Sequence, residues 1–168
     1  VFFLRSWFEW LNEFPSSIAI RESLYGYPIL LTSHVVTMCL FAGLILMMDL
    51  RLVGLAYADA PVSQVQKRLF PWQMVGMALS SITGLLLFYS QPMRFYGKVF
   101  FWVKIVLMGL AGINALAFHY GTYKSVASWD SSASIPFPAK VAGAVSIVVW
   151  SGVIVFGRLV AYDYMTYE

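Results

Sequence analysis

The chain has 168 residues, with 11 Lys and Arg against 8 Asp and Glu, for a net charge of +3. Charged residues make up 11% and hydrophobic residues 60%, with mean hydropathy +0.74, where soluble domains have about 25% charged and 45 to 50% apolar residues. This excludes a soluble globule, a disordered tail and a basic nucleic-acid module, and leaves an all-α integral membrane protein of a size that fits one compact domain.

In chain order, residues 1–26 read as an interfacial arm. Phe3, Trp7, Trp10 and Phe14, with Leu4, Phe8 and Leu11, share one helical face, while Arg5, Glu9, Asn12 and Glu13 share the other. The arm lacks a basic leader and a small-residue cleavage site, so it is not read as a signal peptide. Its aromatic face suits the lipid headgroup zone, with a partner subunit as the other surface it would cover. Pro15 ends the arm's first helix, and Ser16 or Ser17 is placed to cap a second one running toward Tyr25.

Residues 27–168 read as a four-helix transmembrane bundle. The uncharged runs Pro28 to Met48, Leu69 to Met93, Ile105 to Tyr123 and Val141 to Gly157 are long enough to cross about 30 Å of hydrocarbon at 1.5 Å per residue. The predicted spans are about 28–49, 69–90, 98–120 and 141–162, with Pro71 at the start of the second. An even number of spans puts both ends of the sequence on one face, side A, and the two long loops on side B. Lys and Arg are nearly balanced between the faces; those of side B lie in true inter-helix loops, which places side B in the cytoplasm and the termini in the periplasm.

Gly76, Ser80 and Gly84 recur at four-residue spacing in span 2, and Ala111 with Ala115 in span 3, which marks close helix packing. Thr32, Ser33, Thr37, Ser81, Thr83 and Ser146 are read as bonded back to their own helices. Cys39, the single cysteine, stands in an apolar run and reads as an inert packed thiol.

Ionisable groups within spans cost roughly 2.5 to 3.5 kcal/mol each at mid-bilayer and need a reason. The two histidines, His34 in span 1 and His119 at the end of span 3, suggest a bis-histidine haem, which depth opposes. Counted from side A, His34 lies about 9 Å deep and His119 about 30 Å deep. Lys104 falls near the level of His34, and Arg158 comes down span 4 toward the same face, with Tyr89, Tyr96 and Tyr162 at the nearby interface. His34, Lys104 and Arg158 thus form a candidate cationic pocket, to which the three tyrosines add phenolic donors. No carboxylate is expected at that depth. Asp49 is expected at side B, paired with Arg51, Lys67 or Arg68 in a structural network, and Asp163 and Glu22 outside the core. Such a pocket suits an anion: haem propionates, a quinone or semiquinone oxygen, or a phospholipid headgroup. The bland alternative is that Lys104 and Arg158 snorkel to the interface. Trp150 shares a row with Arg158 and would accept a cation only from another helix. A proton carrier would need an acid deeper in the membrane, and four short spans are expected to enclose little room for a transport path.

The runs YGYPILLTSHVVTMCLFAGLILMMDLRLVGL (Tyr25 to Leu55), RLFPWQMVGMALSSITGLLLF (Arg68 to Phe88), VKIVLMGLAGINALAFH (Val103 to His119) and VVWSGVIVFGRLVAY (Val148 to Tyr162) resemble a family of small bacterial four-helix inner-membrane proteins of unknown function. A more distant similarity is to copper-resistance D-type membrane proteins. The resemblance implies the fold and a multi-pass place in the bacterial inner membrane, and carries no activity.

The sequence therefore points to a non-enzymatic subunit of a larger membrane assembly, respiratory or electron-transferring. Its side-A pocket at His34, Lys104 and Arg158 would hold an anionic cofactor or lipid, and its partners would be lipids and other protein chains rather than nucleic acid. The alternative is a b-type haem cytochrome with His34 as the axial metal ligand.

Overall fold

The structure, a computed structural model, describes residues 2–130 and 135–162, with side chains described from residue 5. The side chains of Phe3 and Leu4, and Asp163, named above, lie outside the described residues. The described chain is helical: α1 (Phe2–Asn12), α2 (Pro15–Glu22), α3 (Gly26–Val53), α4 (Val62–Ser90), α5 (Pro92–Tyr96), α6 (Val99–Tyr120), α7 (Val126–Trp129) and α8 (Phe137–Leu159), with short 3₁₀ turns before α7 and after α8. Four helical stretches, built on α3, α4, α6 and α8, are long and apolar enough to cross a membrane. Their outward faces are apolar and exposed, as at Val36, Leu85, Val106, Ile113 and Val148, the inverse of a soluble bundle and what a hydrocarbon solvent requires.

The second span differs from its expected start. Helix α4 begins at Val62, and Pro71 lies inside it. A proline within a helix removes one backbone bond, a loss tolerated where other groups re-satisfy the freed carbonyl. The true start is held from a distance. The Asp130 carboxylate, at the end of α7, accepts the Ser63 backbone N–H at 2.9 Å and the Ser63 hydroxyl, doing the work of an N-cap in trans. Helix α3 ends at Gly54, whose φ of +88° suits glycine and lets Gly54 and Leu55 N–H donate to the Leu50 carbonyl at 3.1 and 2.9 Å.

Partial burial pushes the Asp130 carboxyl up, but the Ser63 hydrogen bonds, the Val62 N–H and the nearby Arg51 charge outweigh it and hold it below the usual carboxylate range. A depressed carboxylate contributes stability above the unfolded pKa, near 4, and loses it as pH falls further. Asp130→Ala should therefore destabilise the protein by about 1 kcal/mol at neutral pH. In thermal unfolding scans the gap between wild type and variant should hold steady above about pH 5 and shrink below about pH 4.

Packing follows the small residues. A Cβ at Gly76 would stand 3.0 Å from Phe41 Cβ and 3.2 Å from Phe41 Cα, and one at Gly84 would stand 3.0 Å from His34 Cε1, so this row seats α4 on α3. Gly143 does the same for α8 on α3, against Leu52 and the Asp49 carbonyl, and Gly152 for α8 on α6, against Leu107. The side-B end closes over Met48, Leu52, Val62, Phe118, Trp129 and Ala139.

The arm docks on its own bundle. Phe8, 4% exposed, packs among Phe88, Tyr96 and Trp102 with ring centroids 5.0 to 6.5 Å away, while Trp7 and Trp10 remain exposed. Neither serine caps α2, whose N-cap position is Phe14 with Pro15 at N1. Instead Ser16 shares a 2.6 Å hydrogen bond with the Tyr89 hydroxyl, and the Ser17 hydroxyl donates to the Tyr89 carbonyl at 2.8 Å, so both serines tie the arm to the end of α4.

Candidate functional site

The four long helices pack as α4 on α3, α3 on α8 and α8 on α6, while α4 and α6 have no comparable interface. A ring of four helices with one side unclosed leaves a gap, and here it is a cavity of about 780 Å³ reaching from Phe8 and Phe88 at side A to His119 and Asp49 at side B. Each wall is the inward stripe of an amphipathic repeat with steps of three and four residues: His34, Met38, Phe41, Ile45, Met48 and Leu52 on α3; Phe70, Gln73, Met77, Ser80 and Gly84 on α4; Phe101, Lys104, Met108, Ala111, Ala115 and Phe118 on α6; Ala142, Ser146, Trp150 and Val153 on α8. Four spans thus enclose more room than their length suggested, because α4 and α6 stand apart. Five methionines line the space, Met38, Met48, Met74, Met77 and Met108, and unbranched thioethers make a pliable wall.

His34 and Lys104 both line this cavity. His34 Nδ1 lies 3.0 Å from Thr83 Oγ1. The Thr83 hydroxyl gives its own proton to the Leu79 carbonyl at 2.7 Å, so toward His34 it accepts. This assigns the proton to Nδ1 and leaves the lone pair on Nε2. The Lys104 ammonium lies against Gly157 of α8, about 3.5 Å from where a Cβ would stand. Lys104 forms no ion pair with any described residue. The other predicted residues are not brought to the cavity. Arg158 is exposed and donates to the Tyr162 hydroxyl at 2.9 Å, its guanidinium 5.1 Å from that ring's centre. Tyr89 bonds Ser16 and Tyr96 packs on Phe8. Trp150 meets Phe41 edge to face at 5.0 Å rather than a cation.

His119 lines the far end of the same cavity, 3.4 Å from Gln66 Nε2 and flanked by Phe70 and Tyr123. Helix α4 measures the separation: His34 sits at Thr83 and His119 at Gln66, levels about 25 Å apart along the axis. One iron cannot take both imidazoles.

Asp49 departs most from expectation. It is 6% exposed, lines the cavity, and its Oδ2 has no hydrogen-bond partner. It pairs with none of Arg51, Lys67 and Arg68: Arg51 Nε donates to the Ala60 carbonyl at 2.7 Å, and Lys67 and Arg68 are exposed. Asp49 lies at the side-B end as expected, but it lines the cavity there, together with Gln66, Gln73, Asn114 and Ser146, none of which the sequence reading assigned to a site. The phase of α3 sets Asp49 one position past Met48 of the inward stripe and does not by itself bury it; α8, lying over it at Gly143, does.

Among the described residues no three His, Cys, Asp or Glu side chains gather to hold a metal ion. No curated protein and no solved structure matches the chain. A family model matches residues 8–163, nearly the whole sequence. The chain belongs to that family, the family of unknown function DUF6644.

Proposed function

We propose that this protein is a membrane-embedded binding subunit, without a reaction of its own, that belongs to a larger bacterial inner-membrane assembly. Its cavity takes a long-chain amphiphile with an anionic or hydrogen-bond-accepting head, of which a quinone and a phospholipid are the two sources. The head lies at His34 and Lys104, and the chain lies along the apolar walls or passes out between α4 and α6. Arg158 stays a surface residue in this reading and is released from the pocket.

The observation that carries the reading is Lys104: a lysine without an ion pair, lining an intramembrane cavity beside a histidine, with mostly apolar walls around both. A cation in such a place is costly unless a partner arrives. Pockets of 300 to 1,000 Å³ with apolar walls and a few convergent polar groups are the usual shape of small-molecule sites. Native mass spectrometry of protein released directly from membrane vesicles tests it. Wild type should carry a retained adduct, and Lys104→Met should lose it by about tenfold or more, as expected when a buried charged contact of 1.4 kcal/mol or more is removed. Retention of the same adduct by Lys104→Met would end this reading.

A second reading, a b-type haem with His34 as axial ligand, is favoured by one feature: Thr83 leaves Nε2 of His34 free as the ligating nitrogen, the arrangement that second-shell hydrogen bonds impose on metal-bound histidines. A haem would be held there with its propionates toward Lys104. A Soret band in the purified protein that is lost in His34→Ala would select it over the first reading.

A further inference from the structure

We infer that the side-B end of the cavity, centred on Asp49, is a second binding site, specific for a protonated organic amine with an apolar body.

Asp49 is more than nine-tenths buried, and its Oδ2 is closed off from water without a partner. Ser146 of α8 faces the carboxyl, and Gly143 lets that helix lie directly over the Asp49 backbone. Gln66, Gln73 and Asn114 line the same cavity. The Gln73 side-chain amide donates to the Leu44 carbonyl at 3.1 Å, and that of Asn114 donates to the Ala142 carbonyl at 2.9 Å. Because both partners are carbonyls, the donating atoms must be the amide nitrogens, and the amide oxygens remain. Gln66 spends an N–H on His119. The chamber thus offers a carboxylate and amide oxygens, with no cation from the protein paired to the carboxylate among the described residues.

A buried carboxyl whose second oxygen has no partner is a costly group for a membrane protein to hold, even with Ser146 at hand. The missing complement must supply charge and several N–H donors in one small head. An ammonium does both. An alcohol supplies one donor and leaves the charge uncompensated. Above Asp49, at a distance of about eight residues or 12 Å along α3, the Phe41 and Trp150 rings form an aromatic wall. An alkyl or aryl body extending from the ammonium would pack there, and the open side between α4 and α6 gives such a molecule a route in from the bilayer. The site is independent of the His34 and Lys104 end, which lies some 22 Å away along α3 and has the opposite charge.

Thermal unfolding of the full chain in mild detergent tests this with three probes of one chain length: n-hexylamine, n-hexanol and n-hexanoate at neutral pH. Hexylammonium should raise the melting temperature of wild type in a saturable way. The apparent affinity should fall by about tenfold or more in Asp49→Asn, which keeps the shape and removes the charge. The alcohol should act weakly, and any response to the carboxylate, which the Lys104 end can take, should be the same in wild type and Asp49→Asn. Lys104→Met should keep the amine response, which separates failure at this site from failure at the other. If Asp49→Asn does not accumulate, Asn114→Leu supplies the second variant, with the amine response weakened several-fold. Equal effects of hexylammonium and hexanol on wild type, or an unchanged amine response in the variants, would overturn the inference.

Discussion

Gly76→Val should cost about 2 to 3 kcal/mol of stability, the range for forcing extra atoms into a packed seam. The reason is local and steric. A Cβ at this position would stand 3.0 Å from Phe41 Cβ and 3.2 Å from Phe41 Cα, and Cα is backbone, which yields only if α3 and α4 separate. The branched valine adds two further methyl groups to the same gap. In lipid the loss is not offset by any hydrophobic drive for the helices to stay together, because tails solvate a separated helix as well as a neighbour does. Controls come from the same chain: a Cβ at Gly43 or Gly109 would meet nothing within 4 Å. Gly43→Ala and Gly109→Ala should therefore be neutral or stabilising by up to about 1 kcal/mol, through helix propensity alone. Unfolding titrations of the three variants in mixed micelles would show opposite signs for glycines of one helical type.

Gly112→Phe should leave the fold intact and empty the cavity. Gly112 lines the cavity on α6, and a Cβ there would meet nothing within 4 Å, so a phenyl ring projects into open space rather than into a neighbour. Stability should change by no more than about 1 kcal/mol, the propensity difference between glycine and an ordinary residue. Occupancy by the endogenous amphiphile should drop about tenfold or more, since the ring takes the space that the chain of the ligand would fill. Gly109→Phe is the matched control: it too has free space at its Cβ but is not among the cavity residues, and it should retain the ligand. Adduct masses and melting curves measured on the same preparations give both quantities at once.

Much of this was legible in the sequence. The four spans, the amphipathic arm and the Gly76, Ser80, Gly84 seam follow from charge-free length and small-residue spacing alone. Depth along the helices also put Lys104 beside His34. Rotation about the helices was the part left unused. Gly157, not Arg158, follows Ser146, Trp150 and Val153 by helical spacing and lies against Lys104, and Arg158 lies about 100° further round, where it meets Tyr162. Tyr89 likewise follows the inward Phe88 by one residue and faces the arm. Asp49 also sits one position past an inward residue, Met48, yet is buried, because α8 covers that flank of α3 through Gly143. Which flank a neighbour covers is a tertiary fact. So is the separation of α4 from α6, which creates the cavity and has no signature in either helix taken alone. Pro71 misled for a related reason: it reads as a helix start, but Asp130, sixty-seven residues from Ser63, supplies the cap that moves the start of α4 to Val62.

The most direct test of an amphiphile seated at Lys104 is photolabelling in native-like membranes. An alkyl phosphate carrying a diazirine on its chain would be activated in vesicles containing the protein, and the labelled peptides read by mass spectrometry. Labels are expected on cavity residues such as Met77, Ile105 and Met108, well above those on the lipid-facing residues Val36, Ile113 and Val148, and the excess should vanish in Lys104→Met. Labels spread evenly over cavity and lipid-facing positions, with the same pattern in Lys104→Met, would contradict the binding role and leave only the four-helix fold.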